Sequence, residues 1–478
     1  MSDGKRVLVD NSDTHSIIFG ATGSKKTRLF GMPLINMLTL AGESFIATDP
    51  KSELYDKTSG LVSAEGYRTF VLNLRELEQS DYWNPLAHPY ELYHAGQREE
   101  ATALLGDFIN TLAEPQKKST REPFWINMAS HFALAMLLFL IETAAPSEAN
   151  IYNFTRLLVT RASSDTAREL ALRTAPGSIA SLNFVSVLTA AKADATFSSI
   201  AGVAASLVAP FLARRTLCQI LSESSFDLRT IAKQKTAIYL IVPDEKSTLH
   251  FLVSIFIKQL YETLITEAQE EGDKKLPIRL NFVLDEFCNI PTIPDFAEMI
   301  TAARSRNMRF FLMNQGMRQM HEKYGVDAET IKGNCDNWAF LTSREPELLR
   351  ELSYLCGEKS YYSADGVMRV RPLISPSELM RLDKGKGEVL ILHGRHYPFV
   401  TELTDIDAYP FPSYPPIVRK SKMLPTIIPY DAWRVIAEID AKVRPLAFSL
   451  EVYGEDKYFD ASVLPEKKIP SPNTPAGE

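Results

Sequence analysis

Cysteine is scarce in this chain: Cys218, Cys288, Cys335 and Cys356 stand far apart among 478 residues and form no C-x-x-C pair. That spacing excludes a disulfide framework and a cysteine-based metal centre, leaving buried thiols in a reducing compartment as the expectation. His393 and His396 form a near-pair without further ligands close by in sequence, so they give no metal site either. Positive charge is not in excess. Lys and Arg number 52 against 59 Asp and Glu, a formal net charge of -7, with a pI near 5.8. A uniformly basic nucleic-acid coat is therefore excluded, whereas a local basic channel is not. The N-terminus, Met1-Ser2-Asp3-Gly4-Lys5-Arg6, carries neither a secretory signal nor a twin-arginine pattern. No apolar run is expected to be long and charge-free enough to cross a bilayer. The densest, Ala133 to Ile141, spans nine residues and fits a buried core helix. A soluble, cytoplasmic chain is the expectation. At 45% hydrophobic and 23% charged residues it is globular, and its length predicts two to three domains.

What is present begins at Gly20-Ala21-Thr22-Gly23-Ser24-Lys25-Lys26-Thr27. This is the phosphate-binding pattern G-x-x-x-x-G-K-[ST] with Lys25 where the second glycine belongs. The apolar run His15 to Phe19 predicts a buried strand before it, and Arg28 to Leu40 a helix after it. Strand, turn and helix in that order bring backbone N–H groups and a helix N-terminus onto phosphate oxygens. Gly20 and Gly23 allow conformations that a Cβ penalises. Lys26 is the candidate for the β- and γ-phosphates, and Thr27 for the Mg²⁺ shell. Lys25 either crowds the phosphate or points outward. A chance Gly/Ser/Thr turn before a helix is the bland alternative for the loop as a whole.

Strands and helices alternate around this loop. Ser44 to Thr48 and Tyr67 to Leu72 read as strands, the first running into Asp49-Pro50-Lys51-Ser52-Glu53. From about Tyr90 to about Ala209 the texture turns helical, with Phe124, Trp125, Met128, Phe132, Leu134 and Leu138 tracing a stripe at helical spacing. Strand signals return at Thr236 to Val242, followed by a helix over His250 to Glu270 and a strand over Ile278 to Leu284. A helix around Asp295 to Arg306 and a strand over Arg309 to Met313 complete the alternation. The pattern predicts an α/β fold with a parallel sheet covered on both faces and an all-helical insertion. After Pro410 prolines punctuate the chain, and 465–478 is polar and proline-containing, an expected disordered end.

The strand ending in Leu284-Asp285-Glu286 is a Walker B arrangement. It makes Asp285 a candidate Mg²⁺ ligand and Glu286 the candidate base for the attacking water. Acidic residues also end strands simply because strands end at the surface, but this strand follows a P-loop. Gln315, at the tip of the next strand, is either a sensor for the γ-phosphate or a loop cap. Arg304 and Arg306 are candidates for a neighbour's nucleotide or a DNA phosphate, since a guanidinium fork suits phosphate oxygens. A solvated helix end, with cations near its negative dipole, is the alternative.

Taken in order, these segments resemble a family, the type IV secretion coupling proteins (TraG/TraD-like conjugation ATPases). The resemblance rests on the P-loop, Thr48 to Glu53, Trp83-Asn84-Pro85-Leu86 and Pro123-Phe124-Trp125. It continues through Leu284-Asp285-Glu286-Phe287 with Ile290-Pro291, and Gln315 with Gln319 and Tyr324-Gly325. Gly333-Asn334-Cys335, Arg371-Pro372-Leu373 and Pro376 to Leu379 complete it, over roughly residues 15 to 400. It implies an α/β, RecA-like P-loop nucleotide-binding domain, mainly parallel in its sheet, interrupted by an all-α domain. Residues 1–89 and 210–415 would form the first, 90–209 the second, and 416–478 a C-terminal extension. It further implies a homo-hexamer using ATP and Mg²⁺, with Lys26, Glu286 and Gln315 catalytic and Thr27 and Asp285 on the metal. An arginine finger is implied as well, with Arg304 or Arg306 as the candidate. Its implied partners are single-stranded DNA, relaxase or effector proteins and other secretion components, at the inner face of the bacterial cell membrane. The family carries N-terminal transmembrane helices, whereas this chain starts at the nucleotide-binding segment. The resemblance thus leaves open a shortened chain or one that docks on a separate membrane subunit. It also leaves open a catalytically weakened nucleotide-binding scaffold, which Lys25 favours, and a double-stranded DNA translocase.

Overall fold

The computed structural model describes residues 10–439, apart from 120, 162 and 175–177, together with 441. The expected disordered end at 465–478 lies outside the described residues. The chain divides into two compact units after Tyr430. In the second unit residues 432–439 are helical. The sheet and all the helices before Tyr430 belong to the first.

Seven parallel strands make the centre of the sheet. They are β1 (Ser16–Gly20), β2 (Ser44–Asp49), β3 (Arg68–Asn73), β4 (Thr236–Ile241), β5 (Leu280–Leu284), β6 (Met308–Asn314) and β7 (Asn337–Thr342). An exposed hairpin, β8 (Glu358–Tyr362) and β9 (Met368–Pro372), stands apart from them. Antiparallel strands β10 (Glu388–His393) and β11 (Phe399–Glu402) extend the sheet beyond β7. The full order is β11-β10-β7-β1-β6-β5-β2-β4-β3. Every residue of β1, β2, β4, β5 and β6 is buried. Such continuous burial arises when helices cover both faces of a parallel sheet.

One face is covered by α1 (Met32–Ala41) and α2 (Glu53–Ala64). Met32, Ile35, Leu38, Leu54 and Val62 share a core with Ile18, Phe45, Val283 and Met313 of the strands. Between β3 and β4 the chain runs through helices: α3 (Ala87–His94), α4 (Arg98–Ser119), α5 (Pro123–Thr143), α6 (Ile151–Thr160), α7 (Ser164–Arg173), α8 (Ile179–Ala190), α9 (Asp194–Leu207), α10 (Ala209–Leu212) and α11 (Arg215–Ile220). The other face of the sheet receives α12 (His250–Glu270) and α13 (Phe296–Ala303). Phe256 of α12 stacks on Phe70 of β3, and Phe296 of α13 meets Phe310 of β6 edge-on. Side-chain alternation along β5 and β6 explains the division: Phe282 and Phe310 face this layer, and Val283 and Phe311 the other.

One expectation is corrected here. The apolar run around Ala133 to Ile141 belongs to a helix of 21 residues, α5, which is long and apolar enough to cross a membrane by length and composition. Its burial gives the physical reason for the composition. Residues Ala135 to Ile141 are all buried, and Phe132 packs against Phe184 of α8 and Phe197 of α9. A helix surrounded by other helices is apolar all round.

The chain enters and leaves the helical block side by side. Trp83 N–H donates to the Ile220 carbonyl at 2.9 Å, and Ser225 N–H to the Tyr82 carbonyl at 3.0 Å. Residues 409–430 then return across this junction as an irregular strap. Ile417 N–H donates to Ser59 of α2, and Lys422 N–H to the Glu78 carbonyl. Tyr82 Oη donates to the Met423 carbonyl. Further on, Gln219 of α11 holds the Pro425 carbonyl and Asn153 of α6 the Ile428 carbonyl, while the Tyr430 hydroxyl meets Thr143 of α5. Gly60 is required beneath the strap, because a Cβ there would lie 2.4 Å from the Pro415 carbonyl oxygen. The expected division at 415 falls within this continuous strap.

Candidate nucleotide and metal site

The C-terminal edge of the parallel sheet collects the side chains singled out in the sequence. β6 lies between β1 and β5, so the ends of these three strands bring Gln315 between the P-loop and Asp285-Glu286. Gly20 closes β1, and Ala21 N–H donates to the Thr342 carbonyl at the end of β7. The loop then turns back on itself. A Cβ on Gly20 would lie 2.4 Å from Ser24 Oγ and 2.8 Å from Lys26 Cγ, so only glycine lets the Lys26 stem pass. Gly23 and Lys25 both have left-handed backbone, with φ of 75° and 62°. Thr22 is exposed. Beyond the loop, Thr27–Gly31 forms a π-helical turn that leads into α1.

Lys26 is buried; its ammonium donates to the Gly20 carbonyl at 2.6 Å and stands 3.6 Å from Glu286 Oε1. Thr27 Oγ1 donates to Asp285 Oδ2 at 2.7 Å, which brings the two expected Mg²⁺ ligands together. Asp285 is held further by the Glu286 N–H on Oδ1. Burial pushes the Asp285 carboxyl above its ordinary range; the Thr27 hydrogen bond and the Lys26 charge oppose that rise, and Glu286 adds to it. Gln315 Nε2 and Asn289 Nδ2 both donate to Glu286 Oε2, at 3.0 and 3.2 Å. The buried Ser24 hydroxyl has no hydrogen-bond partner among the described residues. A carboxylate already bonded to a threonine hydroxyl, a buried lysine and an unsatisfied loop hydroxyl together suit a phosphate group with a divalent cation. Thr27 and Asp285 would hold the cation.

Lys25 points outward: its side chain is exposed. Its departure from glycine is felt in the backbone, since the left-handed region costs a residue with a Cβ about 1–2 kcal/mol. Lys25→Gly removes that strain and adds back about 0.5–1 kcal/mol of chain entropy lost on folding. The variant is therefore expected to gain roughly 0.5 kcal/mol or slightly more in urea unfolding. Lys25→Ala, which keeps the strain, is expected to gain nothing. Glu286 and Ser52 also adopt left-handed backbone, with φ of 52° and 66°. Three strained residues thus follow β1, β2 and β5 at the same edge, where strain commonly accompanies function.

Several contacts at this edge are not legible in sequence. Asp49, the last residue of β2, is buried and accepts the Tyr55 N–H at 2.9 Å. Burial raises its pKa to about 7, against those backbone hydrogen bonds and with help from Asp285. Glu345, after β7, accepts the N–H groups of Met317 and Arg318 at the start of α14 (Met317–Tyr324), which pins the loop carrying Gln315. Arg28, next to Thr27, forms a fork onto Asp405 and reaches Asp407 at 2.6 Å. The Arg28 hydrogen bond is the main reason that the Asp405 carboxyl falls below its ordinary range. Apart from Tyr55, six residues after Asp49, none of these partners lies close in sequence, so no local pattern signals them. Arg304 and Arg306 are not brought to the site. They form a turn before the first residue of β6, with Arg304 paired to Asp336 at 3.2 Å. The length of that strand, about 20 Å, separates them from Gln315.

Comparison with known proteins places this architecture. The family described as type IV secretory system conjugative DNA transfer matches residues 1–398. No curated relative matches the chain. Among solved structures, plasmid coupling protein TrwB in complex with the ATP analogue ADPNP is similar at 14% identity and a TM-score of 0.61, covering 85% of this chain and 87% of that one. The unbound coupling protein TrwBdeltaN70 gives 15% identity and 0.61, covering 87% and 91%. TrwB in complex with ADP and Mg²⁺ gives 15% and 0.61, covering 85% and 87%. At such identities these likenesses speak for the fold, the expected α/β, RecA-like sheet interrupted by helices. Matched by the family over most of its length, the chain belongs to the conjugative DNA-transfer proteins of type IV secretory systems.

Proposed function

We propose that this chain is the ATP-driven coupling subunit of a conjugative type IV secretion system. In this reading it binds ATP and Mg²⁺, works as a homo-hexamer, and delivers single-stranded DNA with its relaxase, or protein effectors, to the channel at the inner face of the membrane. The observation that carries the reading is the convergence of Lys26, Thr27, Asp285, Glu286 and Gln315 on one sheet edge. Residues 1–89 and 210–415 act as the nucleotide-binding domain in this proposal, 90–209 as the reader of cargo, and 416–478 as an extension.

The chain's own groups divide the work. Lys26 binds and orients the terminal phosphates through donors left over from its bond to Gly20. Thr27 and Asp285 hold Mg²⁺, which when bound draws charge from the phosphate oxygens. Glu286 accepts a proton from the attacking water at its carboxylate, and Gln315 and Asn289 fix the orientation of that carboxylate. An arginine finger from Arg304 or Arg306 would have to act on a neighbouring subunit, because neither reaches the site in its own chain. A second reading, a weakened nucleotide-binding scaffold, draws on the strained Lys25. The outward course of its side chain and the complete set of carboxylates weigh against it.

ATP turnover measured with and without single-stranded DNA, alongside oligomeric state, tests the proposal. DNA-stimulated turnover on the order of 1–10 per second is expected for the assembled oligomer, with loss of turnover in Lys26→Ala. An assembled oligomer that stays inactive with DNA, both as it is and as Lys25→Gly, overturns it in favour of the scaffold.

A further inference from the structure

The hairpin of β8 and β9 stands free of the large sheet. Its base is closed by the Leu373 N–H on the Gly357 carbonyl, and its turn by the Gly366 N–H on Ser363. Cross-strand register pairs Lys359 with Arg371 and Tyr361 with Arg369. Because side chains alternate along a strand, these four share one face, while Ser360, Tyr362, Met368 and Val370 share the other. The first face is thus three cations around one tyrosine. All four are exposed except Lys359, which is partly buried, and the Arg371 guanidinium lies 5.8 Å from the centre of the Tyr361 ring. Like charges directly opposite each other, as Lys359 and Arg371 are, weaken a hairpin. Two carboxylates offset these charges in part. Asp365 pairs with Arg369 at 2.8 Å, and Glu378, engaged by the N–H and hydroxyl of Ser375, faces the charges of Arg371 and Lys359, so that three cations meet two carboxylates. A cationic, aromatic face projecting from a chain of net charge -7 calls for an anionic partner with an exposed flat surface.

We infer that this face of the hairpin is a contact for single-stranded nucleic acid, with Lys359, Arg369 and Arg371 on the phosphates and Tyr361 stacked on a base. Charge complementarity selects a polyanion, and the exposed ring selects unpaired bases, which alone present a stacking face. The inference rests on the proposed DNA-transfer function and names the surface that performs it.

The test is fluorescence anisotropy of a labelled oligothymidylate on the full chain with Mg²⁺ and a non-hydrolysable ATP analogue, over a range of salt. Arg369→Gln/Arg371→Gln is expected to bind about tenfold or more weakly and to lower the log–log salt slope by about 1.4, roughly 0.7 for each cation removed. Tyr361→Ala is expected to weaken binding about fivefold or more. Met368→Ser, on the opposite face, is expected to bind as the parent does. Unchanged melting temperatures separate these effects from unfolding. Equal affinity and slope in the parent and the double variant overturn the hairpin contact while leaving the DNA-transfer function in place. Equally tight parental binding of polyglutamate overturns it as well, marking an unselective polyanion surface. A parent that binds no oligothymidylate brings down both.

Discussion

Glu286→Gln is expected to lower ATP turnover by roughly two to four orders of magnitude, the usual worth of a positioned general base, with nucleotide binding retained. The amide keeps the size of the carboxylate and can still accept from Gln315 and Asn289, which donate to Oε2. It changes only charge and basicity. Lys26 is buried 3.6 Å from Glu286 Oε1; losing that carboxylate leaves its ammonium to the Gly20 carbonyl and to phosphate. Phosphate-release kinetics give the turnover, and a fluorescent nucleotide titrated against the oligomer gives the affinity. Turnover within a few-fold of the parent would remove Glu286 from the chemistry. A parallel loss of binding would instead make it structural.

The largest effect on stability is expected at the opposite edge of the sheet, from Arg309→Ala. Arg309 is buried near the start of β6, where its Nη2 meets Glu43 Oε2 at 2.6 Å and its Nε donates to Asn281 Oδ1 at 2.8 Å. Its Nη1 donates to the Ser12 carbonyl, and the guanidinium lies 5.5 Å from the centre of the Phe311 ring. Burial works against this charge and lowers the arginine pKa, which Glu43 opposes in part. Removing one member of such a pair leaves the other charged, desolvated and short of donors, a loss of about 3 kcal/mol. Arg279 still reaches Glu43 at 3.3 Å, which keeps the loss from being larger. A lower urea midpoint with an unchanged slope would show it. Turnover per folded molecule is expected to stay at the parental level, since a strand's length separates Arg309 from Gln315.

These two sites also mark how far sequence reaches. Strands buried on both faces announce themselves as apolar runs, so β1, β2, β4, β5 and β6 are legible to within a residue or two, and α12 at its observed bounds. Strand β7 is not, because Asn337-Trp338-Ala339-Phe340-Leu341-Thr342 is short and polar at both ends. It becomes a strand through pairing with β1, more than 300 residues earlier in the chain. Strands β10 and β11 depend on β7 in turn. The P-loop and the Asp285-Glu286 pair are legible because each is contiguous. Asp49, Glu345 and the Arg28–Asp405 fork are not, because their roles come from neighbours that only the fold supplies. The glycine that the phosphate-binding pattern places at Lys25 has a physical explanation, a left-handed backbone, and Ser52 adopts the same conformation.

The strap over residues 409–430 bears on how force could pass through the molecule. Two chain crossings joined side by side, as at Trp83–Ile220 and Tyr82–Ser225, act mechanically as one hinge line. Beyond that line the helical block also rests on α12 and the segment after β5, where Lys258 stands 3.8 Å from Asp107 and Thr292 donates to Glu114. The strap is tied to α2 and Glu78 on one side of that line and to α11, α6 and α5 on the other, so it lies across the hinge as a splint does across a joint. At its start, Arg28 beside the P-loop grips Asp405. A movement of the helical block relative to the nucleotide loop would therefore work against this splint as well as against the contacts with α12.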